Sequence, residues 1–245
     1  MLQYKLYLNC TGKENAKLKQ IAIAITLSFL GLFLWAGTVA AIPTVILPGP
    51  EVGLTTVDGI LDELYGLANL TRVDDTFDQI WNPANGNATV QAKYAGFTQE
   101  LGYIPDLNGD NTFDESFVSL FNVSGNGLNL GSPTATLSSG EVDFLWALNP
   151  SGAPLWTSYP GQNSDLLDHM VTWLITGSDG KDNVIGNYVI AWEDLSGGGD
   201  RDFNDIVAEV SGPAPSPVPE PATMLLLGTG LVGLAGFRRR KFSKK

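Results

Sequence analysis

Short segments in the middle of the chain alternate hydrophobic and polar residues. Within 88–94, the apolar residues Val90, Ala92 and Tyr94 alternate with polar neighbours. A period of two places successive side chains on opposite faces of a β-strand. Similar segments, separated by clusters of Gly, Asn, Asp and Ser, occupy residues 141–148, 170–176, 187–193 and 205–210. The pattern predicts a mainly β fold, an antiparallel β-sandwich or a jelly-roll-like domain.

One segment near the start of this region has helical spacing instead. Ile60, Leu61, Leu64 and Leu67 recur at intervals of three and four residues within 57–68. Residues spaced in this way line one side of an α-helix. The sequence therefore predicts one short helix at the N-terminal end of the domain.

The N-terminal residues have the features of an export signal. Lysines precede an apolar run, Ile21–Ala36, and small residues follow it at 38–41. This order predicts a signal peptide over residues 1–41 that enters the translocon as a helix and is removed by signal peptidase. The alternative is an uncleaved signal anchor, since the apolar run is long for a signal peptide.

The C-terminal residues predict a second membrane segment. The apolar run 222–237 would reach about 24 Å as a helix, short of a hydrocarbon core of about 30 Å. A transmembrane helix of this length suits a temporary anchor. The basic residues that begin the tail 238–245 are Arg238, Arg239, Arg240 and Lys241. They would keep the tail in the cytoplasm and the preceding domain outside it.

A turn motif, an apolar run and a basic tail follow one another at this end of the chain. The motif is Pro219-Glu220-Pro221, at the end of a Pro-rich spacer, 213–221. In this order the three features resemble the PEP-CTERM sorting family. The resemblance implies that exosortase, a membrane-embedded cysteine transpeptidase, cuts the chain near the motif and that the protein is its substrate. The alternative is a plain membrane anchor that is never cut.

The predicted exported domain, residues 42–212, is strongly acidic. It contains four basic and 24 acidic residues, which gives a net charge of −20. Nucleic-acid binding is excluded because phosphate contacts need clustered Lys and Arg. The field of such a domain attracts divalent cations, although acidity alone would also keep an exported protein soluble.

Cysteine and histidine chemistry have little place in this domain. Cys10, the only cysteine, lies in the signal segment, so the domain has no disulfide. The only histidine, His169, lies at the start of an apolar segment without a recognisable nucleophile nearby. We therefore expect His169 to be structural and the protein not to be an enzyme. Zinc sites built on several histidines are excluded by the count.

An acidic loop between two predicted strands is the first candidate calcium site. Asp200, Asp202 and Asn204 occupy alternate positions, as do the first ligands of an EF-hand loop. The full candidate ligand set is Glu193, Asp194, Asp200, Asp202, Asn204 and Asp205. A complete EF-hand is excluded because its twelfth position is Ser211. The alternative is that these side chains only accept hydrogen bonds from turn amides.

The same loop also carries a family resemblance. Residues 197–205 read Gly-Gly-Gly-Asp-Arg-Asp-Phe-Asn-Asp between two strand-like segments. This signature resembles a group of uncharacterised bacterial exported domains, and the likeness covers residues 165–210. The resemblance implies no established activity.

A second acidic loop has more regular calcium-loop spacing. Its candidate ligands are Asp106, Asn108, Asp110, Thr112 and Asp114, at loop positions 1, 3, 5, 7 and 9. Asn111 stands where such loops have Gly, and the twelfth position is Phe117. The alternative is a solvated acidic turn.

Two classes of function remain open. The first is a non-enzymatic surface or matrix protein, transiently held at the inner membrane and then associated with exopolysaccharide, with calcium as its cofactor. The second is a carbohydrate-binding or carbohydrate-degrading module. For that module the tryptophans that could stack on sugars are Trp81, Trp146, Trp156, Trp173 and Trp192. Their apolar surroundings favour a place in the core.

Overall fold

The computed structural model describes residues 43–82, 85–130, 133–138, 140 and 142–216. The predicted signal peptide, sorting motif, transmembrane helix and basic tail lie outside these residues. Within the described ranges, no helix is long and apolar enough to span a membrane.

The described residues form thirteen strands and four short helices. The strands are β1 (Leu70–Arg72), β2 (Ile80–Trp81), β3 (Asn85–Lys93), β4 (Gln99–Pro105), β5 (Val118–Val123), β6 (Gly127–Leu128), β7 (Thr134–Ser138), β8 (Phe144–Pro150), β9 (Trp156–Thr157), β10 (Met170–Ile175), β11 (Tyr188–Trp192), β12 (Ile206–Ser211) and β13 (Pro215–Ser216). The helices are α1 (Ile60–Tyr65) and three 3₁₀ turns, Leu67–Asn69, Pro160–Gln162 and Ser196–Gly198.

These strands pair into two antiparallel sheets. The first sheet has the order β1-β10-β11-β12-β3-β6, and β7 also pairs with β3. The second sheet has the order β13-β2-β8-β4-β5, and β9 also pairs with β8. The prediction of a mainly β, antiparallel fold is confirmed.

Strand alternation produces the core between the sheets. In β11 and β12 every second side chain, including Ile190, Trp192, Ile206 and Ala208, joins a cluster with apolar residues of the second sheet such as Trp146. The intervening residues of the same strands, such as Val189 and Val207, join a separate cluster on the outer face. The first sheet is therefore apolar on both faces, and α1 covers part of the outer one.

The tryptophans lie in these clusters and not on the surface. Trp81, Trp146, Trp156 and Trp192 are buried in the core between the sheets, and Trp173 is buried on the outer face. The expectation that their apolar surroundings favour a place in the core is confirmed, and these five form no exposed platform for sugar rings. The alternation that predicted the strands of Trp146, Trp173 and Trp192 also accounts for the burial of these three.

The predicted strands are confirmed as β3, β8, β10, β11 and β12. The predicted helix is present but covers only Ile60–Tyr65, because Gly66 adopts a positive φ of 73° and ends it. Two residues of the predicted Pro-rich spacer, Pro215 and Ser216, pair with Trp81 and Ile80.

An N-terminal strap, residues 43–53, lies along the domain and is held by buried acids. Thr44 donates its backbone N–H to Asp75 (2.5 Å) and its hydroxyl to Asp168 (2.8 Å). Arg72 pairs with Asp75. Burial raises the pKa of Asp168 to about 7, and burial next to Asp168 raises that of Asp78 well above its ordinary value. The folded domain therefore holds protons here that the unfolded chain releases.

Replacing Asp168 with Asn should reduce the pH dependence of stability. A raised carboxyl pKa means that the free energy of unfolding falls as the pH rises from about 4 to about 7. Asn carries no titrating proton. The free energy of unfolding of D168N, relative to that of the wild type, should therefore rise by about 1–3 kcal/mol from pH 5 to pH 8. Urea unfolding in chelator at both pH values measures this, with exposed Asp182→Asn as the control. An unchanged pH dependence in D168N would contradict the assignment.

Candidate metal centre

The hairpin of β11 and β12 brings the first acidic loop together. Trp192 pairs with Ile206 in antiparallel register, so the residues that follow β11 face those that precede β12. Asp194 donates its backbone N–H to Asp205 Oδ2 at 2.7 Å, and the Asp205 N–H donates to the Trp192 carbonyl at 3.2 Å. Glu193 and Asp194 thus lie across the glycine turn from Asp205, as the hairpin interpretation requires.

The loop carboxylates converge in two overlapping groups. Glu193, Asp200 and Asp202 form one, here called the outer triad, in which Asp200 is exposed. Glu193, Asp194 and Asp205 form the other, the inner triad, and all three are buried. In each triad one oxygen per residue lies within 4.8 Å of the others. Such spacing lets a single cation contact all three carboxylates.

Unusual backbone angles aim these side chains inward. Arg201 and Phe203 both have positive φ, 61° and 54°, and alternate with the ligand candidates Asp202 and Asn204. Gly199 also has a positive φ, 45°, and a Cβ at this position would overlap the Glu193 carboxylate. The glycine run is therefore needed both for its backbone conformation and for the close approach to Glu193.

Backbone amides already donate hydrogen bonds to some of the carboxylate oxygens. Glu193 accepts N–H groups from Leu195 (3.2 Å) and Arg201 (2.9 Å). Asp202 accepts the backbone N–H of Asn204 at 3.2 Å and its side-chain amide at 2.8 Å. The turn-capping alternative is thus realised in part, but neutral donors leave the carboxylate charges uncompensated.

Two amide oxygens beside the carboxylates have no hydrogen-bond partner among the residues that the structure describes. Asn204 is 0% exposed and its Oδ1 is unpaired, although its Nδ2 donates to Asp202. Gln99 donates its Nε2 to Asp194 Oδ2 and leaves its own Oε1 buried and unpaired. A buried acceptor without a donor is costly, and a bound cation would satisfy it.

Burial raises the pKa values of the loop acids. Desolvation raises the pKa of Asp202 to about 6, and the charges of Asp200 and Glu51 add to the effect. Desolvation likewise raises the pKa values of Glu193, Asp194 and Asp205 above their ordinary range. Without a cation, the protein must therefore either protonate these groups or keep like charges together at a cost in stability.

Lys93 is a buried cation near the loop that the sequence analysis did not single out. It ends β3, is 2% exposed, and donates its Nζ to the Ala95 carbonyl (2.8 Å) and to Asn126 Oδ1 (3.0 Å). Desolvation lowers its pKa, while the charges of Asp194 and Asp205 act in the opposite direction. No local signal could reveal it, since Lys93 is about a hundred residues away in the chain.

The side chains of His169 and Trp156 pack against each other and contact the backbone of the loop. The His169 ring stacks on Trp156 with centroids 3.8 Å apart, and its Nδ1 lies 2.8 Å from the Glu193 carbonyl. Trp156 donates its Nε1–H to the Asp194 carbonyl at 2.7 Å. Both side chains thus hold the loop backbone, in keeping with a structural histidine.

The second acidic loop has a different arrangement. Asp106 is buried and accepts three backbone N–H groups, from Gly109, Asp110 and Asn111, at 2.9–3.2 Å. Asn111 has the left-handed backbone (φ 62°) expected in place of Gly.

The carboxylates of this second loop do not converge. Asp110 binds the N–H and hydroxyl of Thr112 and the side-chain amide of Asn108. Over the described ranges, Asp106, Asp110 and Asp114 do not form a three-carboxylate cluster. The loop has the hydrogen bonding of a capped turn, and its calcium site stays a prediction.

The match to a sorting family lies just beyond the described residues. A model of the PEP-CTERM protein-sorting motif matches residues 217–241. This is an exported protein with a PEP-CTERM motif. The motif match begins immediately after β13, which ends at Ser216.

A second family model covers the acidic hairpin of this PEP-CTERM protein. A domain of unknown function, DUF4114, matches residues 133–213, which include both triads. No curated protein sequence matches the chain.

Three solved lectin structures are similar to the chain at a TM-score of 0.33. They are the Chromobacterium violaceum lectin CV2L in complex with alpha-methyl-fucoside, the Ralstonia solanacearum high-affinity mannose-binding lectin and the C-terminal domain of the Burkholderia cenocepacia lectin BC2L-C. Identities are 16%, 17% and 15%, over 56%, 56% and 59% of this chain and 96%, 96% and 98% of theirs. A likeness of this degree carries no argument about function.

Replacing Gly199 with Ala should destabilise the domain more than the same change at Gly197. Both residues have positive φ, but a Cβ at Gly197 meets nothing within 4 Å, whereas one at Gly199 overlaps Glu193. We expect losses of about 1 kcal/mol for G197A and about 2–4 kcal/mol for G199A. Urea unfolding in chelator measures both. Equal losses would mean that the Glu193 carboxylate does not pack against Gly199.

Proposed function

We propose that the domain is a non-enzymatic β-sandwich that is stabilised by calcium. It leaves the cytoplasm as part of the exported chain that carries the PEP-CTERM motif. The observation that carries the proposal is the convergence of the loop carboxylates, together with the buried, unpaired Oδ1 of Asn204, whose side-chain amide donates to Asp202. Three carboxylates supply more negative charge than nearby amides can balance. A bound divalent cation would remove that cost and satisfy the Asn204 oxygen.

The ligand chemistry favours calcium over other metals. The triads offer only carboxylate and amide oxygens, and the one nearby histidine, His169, uses its ring nitrogens on Glu193 and Asp165. Hard oxygen ligands suit calcium, which accepts six to eight of them in irregular geometry. The residues that would hold the ion are Glu193, Asp194, Asp200, Asp202, Asn204 and Asp205.

The position of the motif, beyond the last described strand, supports cleavage by exosortase outside the sandwich. The motif match starts at residue 217, and the last paired strand residue is Ser216. A cut near Pro219-Glu220-Pro221 would therefore leave every strand that the structure describes in place. We propose that the released form goes to the cell surface or an exopolysaccharide matrix.

Calcium should raise the melting temperature of the full chain in detergent, and Asp202→Asn should remove most of this effect. Loss of one charged ligand should weaken binding by at least about tenfold. A matched control is Asp58→Asn, at an exposed aspartate outside both loops. Calorimetric titration and thermal melting with and without chelator measure the effect. The proposal fails if calcium produces neither heat nor a shift in the wild type.

Changing Pro219, Glu220 and Pro221 together to Ala should block processing. In cells that contain exosortase, the wild type should yield a released form that retains residue 216 but has lost the basic tail. The variant should stay in the membrane fraction at full mass. Intact-mass measurement of both fractions tests this, with Pro213→Ala, outside the motif, as the control. Release of the triple variant at the wild-type mass would contradict exosortase processing.

A further inference from the structure

The acidic loop offers two overlapping positions for a cation, because Glu193 belongs to both triads. The carboxylates of one position cannot be neutralised without affecting the other. The surroundings of the two triads nevertheless differ in access to solvent and in nearby positive charge.

The inner triad already has protein donors and a protein cation. Asp194 accepts the Gln99 side-chain amide, and Asp205 accepts the Asp194 backbone N–H. Lys93 ends β3, the neighbour of β12, and the next residue, Tyr94, donates its N–H to the Asn204 carbonyl at 3.0 Å. The buried Lys93 ammonium therefore lies beside the loop, where its charge acts on Asp194 and Asp205. A buried ammonium of this kind offsets part of the negative charge and repels a second cation.

The outer triad also accepts protein N–H groups, at Glu193 and Asp202, but it differs at its third carboxylate. Asp200 is exposed and accepts no hydrogen bond from the described residues, so its carboxylate is open to solvent. Glu51, on the N-terminal strap, adds further negative charge near Asp202. The buried Asn204, whose Oδ1 has no donor, is held against Asp202 by its own side-chain amide.

We infer that the ion occupies the outer triad together with Asn204, and that Lys93 serves as the built-in cation of the inner triad. This assignment rests on the proposed calcium site and adds its position, its stoichiometry and the residue that sets both. The loop then binds one calcium ion. The ion neutralises the carboxylate charge of the shared Glu193 on one side. On the other side, Glu193 lies next to Asp194 and Asp205, whose charges Lys93 compensates.

Matched substitutions separate the two positions. Asp202→Asn changes the outer triad, and Asp205→Asn changes the inner one while keeping an oxygen for the Asp194 N–H. Lys93→Met removes the ammonium but keeps most of the side-chain volume, and Lys93→Arg keeps the charge. If D205N does not fold, as judged by near-UV circular dichroism, Asp194→Asn replaces it.

Calcium titration calorimetry on the full chain in detergent tests the assignment. We expect D202N to weaken binding at least tenfold, D205N or D194N to stay within threefold of the wild type, and K93R to resemble the wild type. K93M should bind calcium at least fivefold more tightly or take up one additional ion.

Two results would overturn the inference while leaving the calcium site intact. One is a loss in D205N or D194N as large as that in D202N, which would place the ion in the inner triad beside the unpaired Gln99 Oε1. The other is a K93M variant with wild-type affinity and stoichiometry. Absence of binding in the wild type would instead defeat the proposed function itself.

Discussion

The antiparallel pairing of Trp192 with Ile206 is the contact on which the acidic site depends. Both side chains are buried in the core between the sheets, so the apolar pattern fixes the register of β11 and β12. A slip of one residue would turn one of the two side chains out of the core. It would also move Asp205 away from Asp194. Hydrophobic packing thus determines which carboxylates meet.

This packing creates an electrostatic problem. The core places Glu193, Asp194 and Asp205 where water is largely excluded, and desolvation raises their pKa values. Backbone amides and Gln99 satisfy individual oxygens without adding positive charge. Arg201, within the loop, is exposed and forms no ion pair among the described residues, so compensating charge comes from a distant part of the chain, such as Lys93, or from solution. An exported domain without cysteine cannot be stabilised by a disulfide. A bound ion can provide such stability instead.

The sequence was sufficient to predict those parts of the fold and of the site that depend on local contacts. Alternation predicted β11 and β12, and the turn residues between them placed Glu193 opposite Asp205. Spacing alone could not show that Asp106 accepts the amides of its own turn, and the calcium site of the second loop stays a prediction. Lys93 and Gln99 could not be predicted as neighbours of the site. They reach it only through the pairing of β3 with β12 and the packing of one sheet on the other.

The C-terminal edge of the second sheet links folding to sorting. β13 contributes only Pro215 and Ser216 to the pairing with β2, while Asn82 donates its N–H to the Ala214 carbonyl at 2.9 Å. Proline cannot donate to a strand ladder and therefore suits an edge. An edge strand of two residues adds few hydrogen bonds to the sandwich, and local opening costs least where such contacts are few. Since the sorting motif begins at the next residue, tension on the motif would act on β13 before it reached Trp81 and the core.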